Sequence, residues 1–170
     1  MLKLILSYIC IILANTYQLI DTNIRINDRP IYISGRVNPE QKKEIRNAIQ
    51  EFNNYFPMVE TENKLIPHTR IQYGDIIGGT HMSATTTSDG KFIIDKSIIT
   101  FNKRLTGNTL GCVIIHEILH SRGLYHSDVE GSVMNYTVKM TTDGEIIQSE
   151  RCDLTADDVD GLNYLKYFNT

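Results

Sequence analysis

The sequence predicts an α+β domain, and three observations carry that reading. At 170 residues, with 41% hydrophobic and 22% charged residues, the chain suits one domain with a core of its own. Its apolar periodicity runs strand, helix, strands, helix, helix. The segment 111–126 then places three of the five histidines on and just beyond one helix, a packing helix preceding it and a C-terminal helix following it. No internal repeat, low-complexity tract or linker divides the chain. A net charge of −3 with scattered basic residues gives no surface for nucleic acid.

Residues 1–16 read as a secretory signal. Lys3 supplies the positive start, and the apolar run 4–13 is too short for a membrane span of ~20 residues. Ala14 and Thr16 are small enough to flank a cleavage point. An uncleaved anchor is the alternative. The expectation is a secreted, extracellular protein whose domain is 17–170, without stable membrane insertion and monomeric. Cys10 would leave with the signal, so Cys112 and Cys152 remain as an even pair in an oxidising compartment. A disulfide is the natural reading, two buried thiols the other. The bond would constrain the unfolded chain by roughly 3–4 kcal/mol.

The elements follow in order. Residues 15–27 are polar and predict an extended arm, and Ile31, Tyr32, Ile33 and Ser34 lie in a stretch of strand character bounded by Pro30 and Gly35. Asn38 with Pro39 and Gln41 predicts a helix start with a capping box, and Ile45, Ala48, Ile49 and Phe52 recur at helical spacing. Residues 70–73 alternate like a strand. Gly78 and Gly79 precede a weaker, threonine-rich strand, 81–87; a turn at 88–91 then leads to the apolar strand 92–99. Asn108 or Thr109 can cap the histidine-bearing helix. Thr141, Thr142, Asp143 and Gly144 read as a second hairpin turn. Thr155 caps a closing helix whose first turn holds Asp157 and Asp158 and whose buried side holds Val159, Leu162 and Leu165.

His116 and His120 are four apart, so on a helix they project from one face and can fill two corners of a zinc tetrahedron. Glu117 sits where a carboxylate could meet water at the metal without ligating it. Gly123 can end the helix at a positive φ, and the reversed chain brings back His126 as a third ligand. Three protein ligands with one position left open mark a catalytic rather than a structural site.

The segment 116–126 matches HExxHxxGxxH and resembles the zinc signature of the metzincin metalloproteases. Ser132, Val133, Met134, Asn135 and Tyr136 resemble the Met-turn beneath the zinc of that clan. Residues 154–162 resemble the start of the C-terminal helix of matrixins, and Ser127 after the third histidine follows the same habit. The resemblance implies a single metzincin-like domain with a twisted mixed β-sheet, one catalytic Zn2+ and endopeptidase activity. Glu117 would serve as general base, Met134 as the floor of the site, and a peptide substrate would lie extended against the strand 81–87. Tyr136 stands two residues after Met134, as in astacins and serralysins; it either approaches the zinc and the oxyanion or packs beneath the cleft. No cysteine-containing latency motif precedes the domain, and His68 and His81 are too few to rebuild the structural zinc of matrixins, so both read as surface or turn histidines. Asn135 begins a glycosylation sequon but lies in the Met-turn, so it is expected to stay unmodified. By the same resemblance Cys112 lies near the base of a substrate pocket and Cys152 follows the loop that shapes it, so their disulfide would pin that loop. The alternative function is a catalytically idle, secreted zinc protein that binds a partner through the same cleft; a second alternative places HExxH in an intracellular hydrolase.

Overall fold

The computed structural model describes residues 24–25, 29–86, 88, 90, 92–143, 145–147 and 152–168. The expected signal segment, Cys10 and most of the expected arm lie outside them. The architecture is a mixed α+β domain built on a five-stranded sheet. Strands β1 (Ile24–Arg25), β2 (Ile31–Ile33), β3 (Thr69–Gly74) and β5 (Phe92–Asn102) run parallel, and β4 (Gly78–Thr86) is antiparallel to β5. β5 is the centre: β3 and β1 pair with it along one side and β4 along the other. The residues of the arm that are described thus pair as a short strand. β4 begins three residues before the sequence suggests, with the Gly78–Gly79 pair inside it, and carries a bulge between Ser83 and Ala84.

Helix α1 (Pro39–Phe52) buries Ile45, Ala48, Ile49 and Phe52, the face that its periodicity marks. Asn38 caps it, accepting from the Gln41 N–H at 2.8 Å. The expected reciprocal bond from Gln41 to the Asn38 N–H does not form. That N–H goes to the Tyr73 hydroxyl at 3.0 Å, because Gln41 is only 1% exposed and is turned inward. Its amide donates to the carbonyls of Lys103 and Leu105 at 3.0 and 2.7 Å, stapling α1 to the chain that feeds the next helix.

Helix α2 (Gly107–Arg122) is apolar nearly all round and correspondingly buried. It begins earlier than either sequence candidate, with Thr106 rather than Asn108 or Thr109 at the N-cap and no side-chain cap bond. Leu105 is fully buried and Gly107 takes a φ of 56°, so the chain has turned into the helix before Asn108 is reached. Thr109 is then fully buried rather than capping. Ile114 and Ile118 of α2 join Ile71, Ile99 and Phe101 of the sheet and the buried face of α1 in one core. A single 3-10 turn (Val133–Asn135) follows, then the hairpin turn at Thr141, whose N–H donates to the Glu145 carbonyl at 2.9 Å. Helix α3 (Ala156–Phe168) closes the domain with Leu162 buried and Val159 half-buried. The side chain of Leu165 lies outside the described set.

Candidate metal centre and active site

Gly123 ends α2 as its position suggests, with φ 106°. Its N–H donates to the His120 carbonyl at 2.9 Å, and the Leu124 N–H donates to Leu119 at 3.1 Å, the paired bonds of a Schellman motif. The chain reverses and returns His126 toward the helix. Ser127 then locks the return: its N–H donates to the Met134 carbonyl at 3.2 Å, its carbonyl accepts from Asn135 Nδ2 at 2.8 Å, and its hydroxyl donates to Asp157 at 2.7 Å.

The result is one cluster. His116, His120 and His126 each offer a ring nitrogen within 4.8 Å of the others. His116 Nδ1 lies 2.8 Å from the Val133 carbonyl and His120 Nδ1 2.8 Å from that of Leu124. A carbonyl can only accept, so both Nδ1 atoms carry protons and both Nε2 atoms present lone pairs. His120 Nε2 and His126 Nε2 are 3.2 Å apart. A tetrahedron with bonds of about 2.0–2.1 Å has edges of about 3.3–3.4 Å, so this pair is spaced for zinc, and the three-imidazole set suits it chemically. Burial is the main cause that holds the His116 imidazolium below its ordinary pKa, and it lowers His120 to about 4. Both rings are therefore neutral near pH 7, as metal ligation requires.

Glu117 is 6% exposed. Desolvation raises its pKa, opposed by the hydrogen bond from Thr80 Oγ1 to Oε2 at 2.8 Å. Met134 is buried in the 3-10 turn and joins the core, and Tyr136 is half-buried and packed against it. His68 and His81 stay out of the cluster: His68 packs edge-on against Tyr32, and His81 is exposed on β4. Asn135 is exposed, but its amide is engaged with the Ser127 carbonyl. Cys112 and Cys152 are joined, with Cα atoms 5.6 Å apart. They border a cavity of about 150 Å³ that Ala48 and Glu51 of α1 and Ile115 of α2 also line.

The structure adds residues that the sequence reading assigned no site role. Asp158, read as a helix-dipole residue, is 1% exposed and holds the Met-turn. It accepts from Ser132 Oγ at 2.6 Å, from the N–H groups of Val133 and Met134 at 3.0 and 3.3 Å, and from the N–H and hydroxyl of Thr155 at 2.9 and 2.8 Å. Because Val133 is also the carbonyl that orients His116, Asp158 positions a candidate ligand through one intermediary. Thr80 and Gly78 are the others. The glycine pair at the head of this strand is the signal for Gly78, since such glycines mark a close backbone approach.

A family model described as Matrixin matches residues 71–167, more than half of the chain. The chain belongs to the matrixin family. This matrixin is 35% identical over 99 residues to Metalloendoproteinase 2-MMP of Arabidopsis thaliana. The match covers 54% of this chain and 24% of that protein, so it spans about a quarter of the curated relative. Among solved structures it is similar to High choriolytic enzyme 1, a hatching enzyme zinc-protease from the medaka Oryzias latipes. That likeness has a TM-score of 0.50 at 12% identity and covers 92% of this chain and 96% of the other, a likeness of fold. Membership implies zinc, and the three-histidine cluster is a group that could hold a metal ion. Among the described residues no helix is long and apolar enough to cross a membrane.

Proposed function

We propose that the protein is a secreted zinc metalloendopeptidase, with residues 1–16 as its signal, a domain at 17–170, and one zinc ion held by His116, His120 and His126. The observation that carries this is the convergence of three imidazoles, two of them with their Nδ1 atoms already committed to carbonyls, beside a desolvated carboxylate. Zinc, when bound, supplies Lewis acidity that polarises a peptide carbonyl and makes water a usable nucleophile near neutral pH.

The chain's own residues do the rest. Glu117 takes the proton of the attacking water and passes it to the leaving amine; its raised pKa brings it nearer the range where both transfers are efficient. β4 pairs on one side with β5, and His81, Ser83 and Ala84 are exposed along it. An extended substrate segment adds to its other edge through main-chain hydrogen bonds, which favours internal cleavage of unstructured segments over trimming of chain ends. The Tyr136 hydroxyl is the candidate donor to the substrate carbonyl, with packing under the cleft as its other role. Met134 forms the floor. The disulfide keeps the segment before α3 against α2, beside the substrate pocket.

The test is cleavage of a general peptide library by purified protein, with and without chelator, beside Glu117→Ala. Internal cleavage that chelation abolishes is expected, and the variant should keep zinc yet lose turnover by about 10²–10⁴-fold. Zinc binding without cleavage would establish an idle, partner-binding cleft instead. Retained turnover in Glu117→Ala would overturn the proton role.

A further inference from the structure

Strand β4 does more at its start than offer an edge. A Cβ built on Gly78 would lie 2.6 Å from Val113 Cγ1 and 3.0 Å from Glu117 Oε1, so the bare backbone is what lets the strand pass this carboxylate. Two residues on, Thr80 Oγ1 lies 2.8 Å from Glu117 Oε2 and 2.8 Å from the Glu117 main-chain oxygen. The hydroxyl has one proton, and an ionised carboxylate is the stronger acceptor of the two. Thr80 is itself held: it pairs in register with Ile99, which is fully buried at the centre of the sheet. A β-branched side chain also has few χ1 choices, so a fixed backbone gives a nearly fixed hydroxyl.

We propose that Thr80, through the clearance that Gly78 provides, is a positioning residue that sets the rotamer of Glu117. The inference rests on the reading above that Glu117 is the general base. A glutamate has three rotatable bonds, and burial alone does not choose among its rotamers. One hydrogen bond to Oε2 does, leaving Oε1 on the side of Gly78. Because β4 is also the proposed substrate edge, one strand registers both the peptide and the base that acts on it. A misplacement of about 1 Å at such a group costs on the order of 10²-fold in rate.

The test uses the zinc-loaded protein and a peptide that it cleaves. Thr80→Val should lower kcat by about 10–100-fold with KM changed less than about two-fold, and Thr80→Ser should restore most of the rate. Zinc affinity and the thermal midpoint should stay near those of the parent. In a Glu117→Gln background, Thr80→Val should cause no further loss, since the hydroxyl acts only through the carboxylate. Gly78→Ala should also lower kcat, by pressing on Oε1, the other oxygen of the same carboxylate. Should Thr80→Val fail to fold, Thr80→Ala carries the same comparison. An unchanged kcat, a loss confined to KM, no rescue by serine, or an added loss on top of Glu117→Gln would each overturn the proposal. Full turnover in Glu117→Gln alone would instead remove the general-base reading beneath it.

Discussion

Two buried carboxylates are held by different parts of the fold, one by a strand and one by the Met-turn, and they are solvated by the protein in different ways. Glu117, on the β4 side, accepts from the single hydroxyl of Thr80, and desolvation leaves its pKa raised. Asp158, on the Met-turn side, accepts from three N–H groups and two hydroxyls. Burial is nearly equal, 6% against 1% exposed. What differs is the number of donors. A carboxylate ringed by donors is fixed in place and braces the turn; one with a single donor is held by that one bond alone. Position in the sequence says little of this, since both residues follow a polar or acidic neighbour in a helix.

The contrast breaks most directly through paired isosteric changes. Asp158→Asn places an amide NH2 where N–H donors converge, leaving buried donors facing a donor, and should cost about 3–5 kcal/mol. Glu117→Gln keeps the acceptor for Thr80 while removing a desolvated charge, so its stability should equal or exceed that of the parent even as turnover is lost. Chemical denaturation of the two variants measures both effects. Equal destabilisation would mean that donor count does not separate the two roles.

The disulfide ties the two sides covalently, since Cys112 lies on the helix of Glu117 and Cys152 precedes the helix of Asp158. Its 40-residue separation encloses the three histidines and the Met-turn. Closing a loop of that length corresponds to about 3–4 kcal/mol in the chain-entropy model. Replacing both cysteines with serine should therefore lower the unfolding free energy by about that amount while Asp158 still holds the turn. A urea midpoint that does not move would show that the tie is redundant with the hydrogen bonds around Asp158.

Much of one side was legible beforehand and little of the other. His116, His120, Gly123 and His126 are readable because the cluster they build needs fixed residue types at intervals that a helix and its stop impose locally. The α1 start and the α3 cap are legible for the same reason: each is a bond between near neighbours. Asp158 is 25 residues from Val133 and Thr80 is 37 from Glu117. Those contacts are made by the fold, and no local spacing encodes them. The start of α2 shows the same limit from another direction, because the burial of Leu105 and the conformation of Gly107 override the capping preference of Asn108. Gln41 is similar: its local role in a capping box loses to two carbonyls more than 60 residues away.

The smallest effect concerns protons on the metal-free protein, where the histidines and Glu117 pull in opposite directions. Burial, the first cause, holds His120 down to about 4, while the unfolded chain keeps the ordinary 6.5. Between those values the unfolded state binds the proton more readily, so stability falls as pH drops from about 6.5 toward 4 and then levels off. Glu117 works against this. Its native pKa is raised above 4.5, so the native state binds that proton more readily and gains stability as pH falls through the raised value. His116, also lowered by burial, reinforces His120. In chelator, the net trend should be a fall on acidification, of about 1 kcal/mol once screening at the partly exposed ring of His120 is allowed for. His120→Gln should flatten that fall, and Glu117→Gln should steepen it. Thermal midpoints of the three proteins from pH 4 to 7 measure this directly. A parent curve that rises on acidification, or that neither substitution alters, would remove the assignment of opposite proton preferences to the two kinds of side chain in this centre.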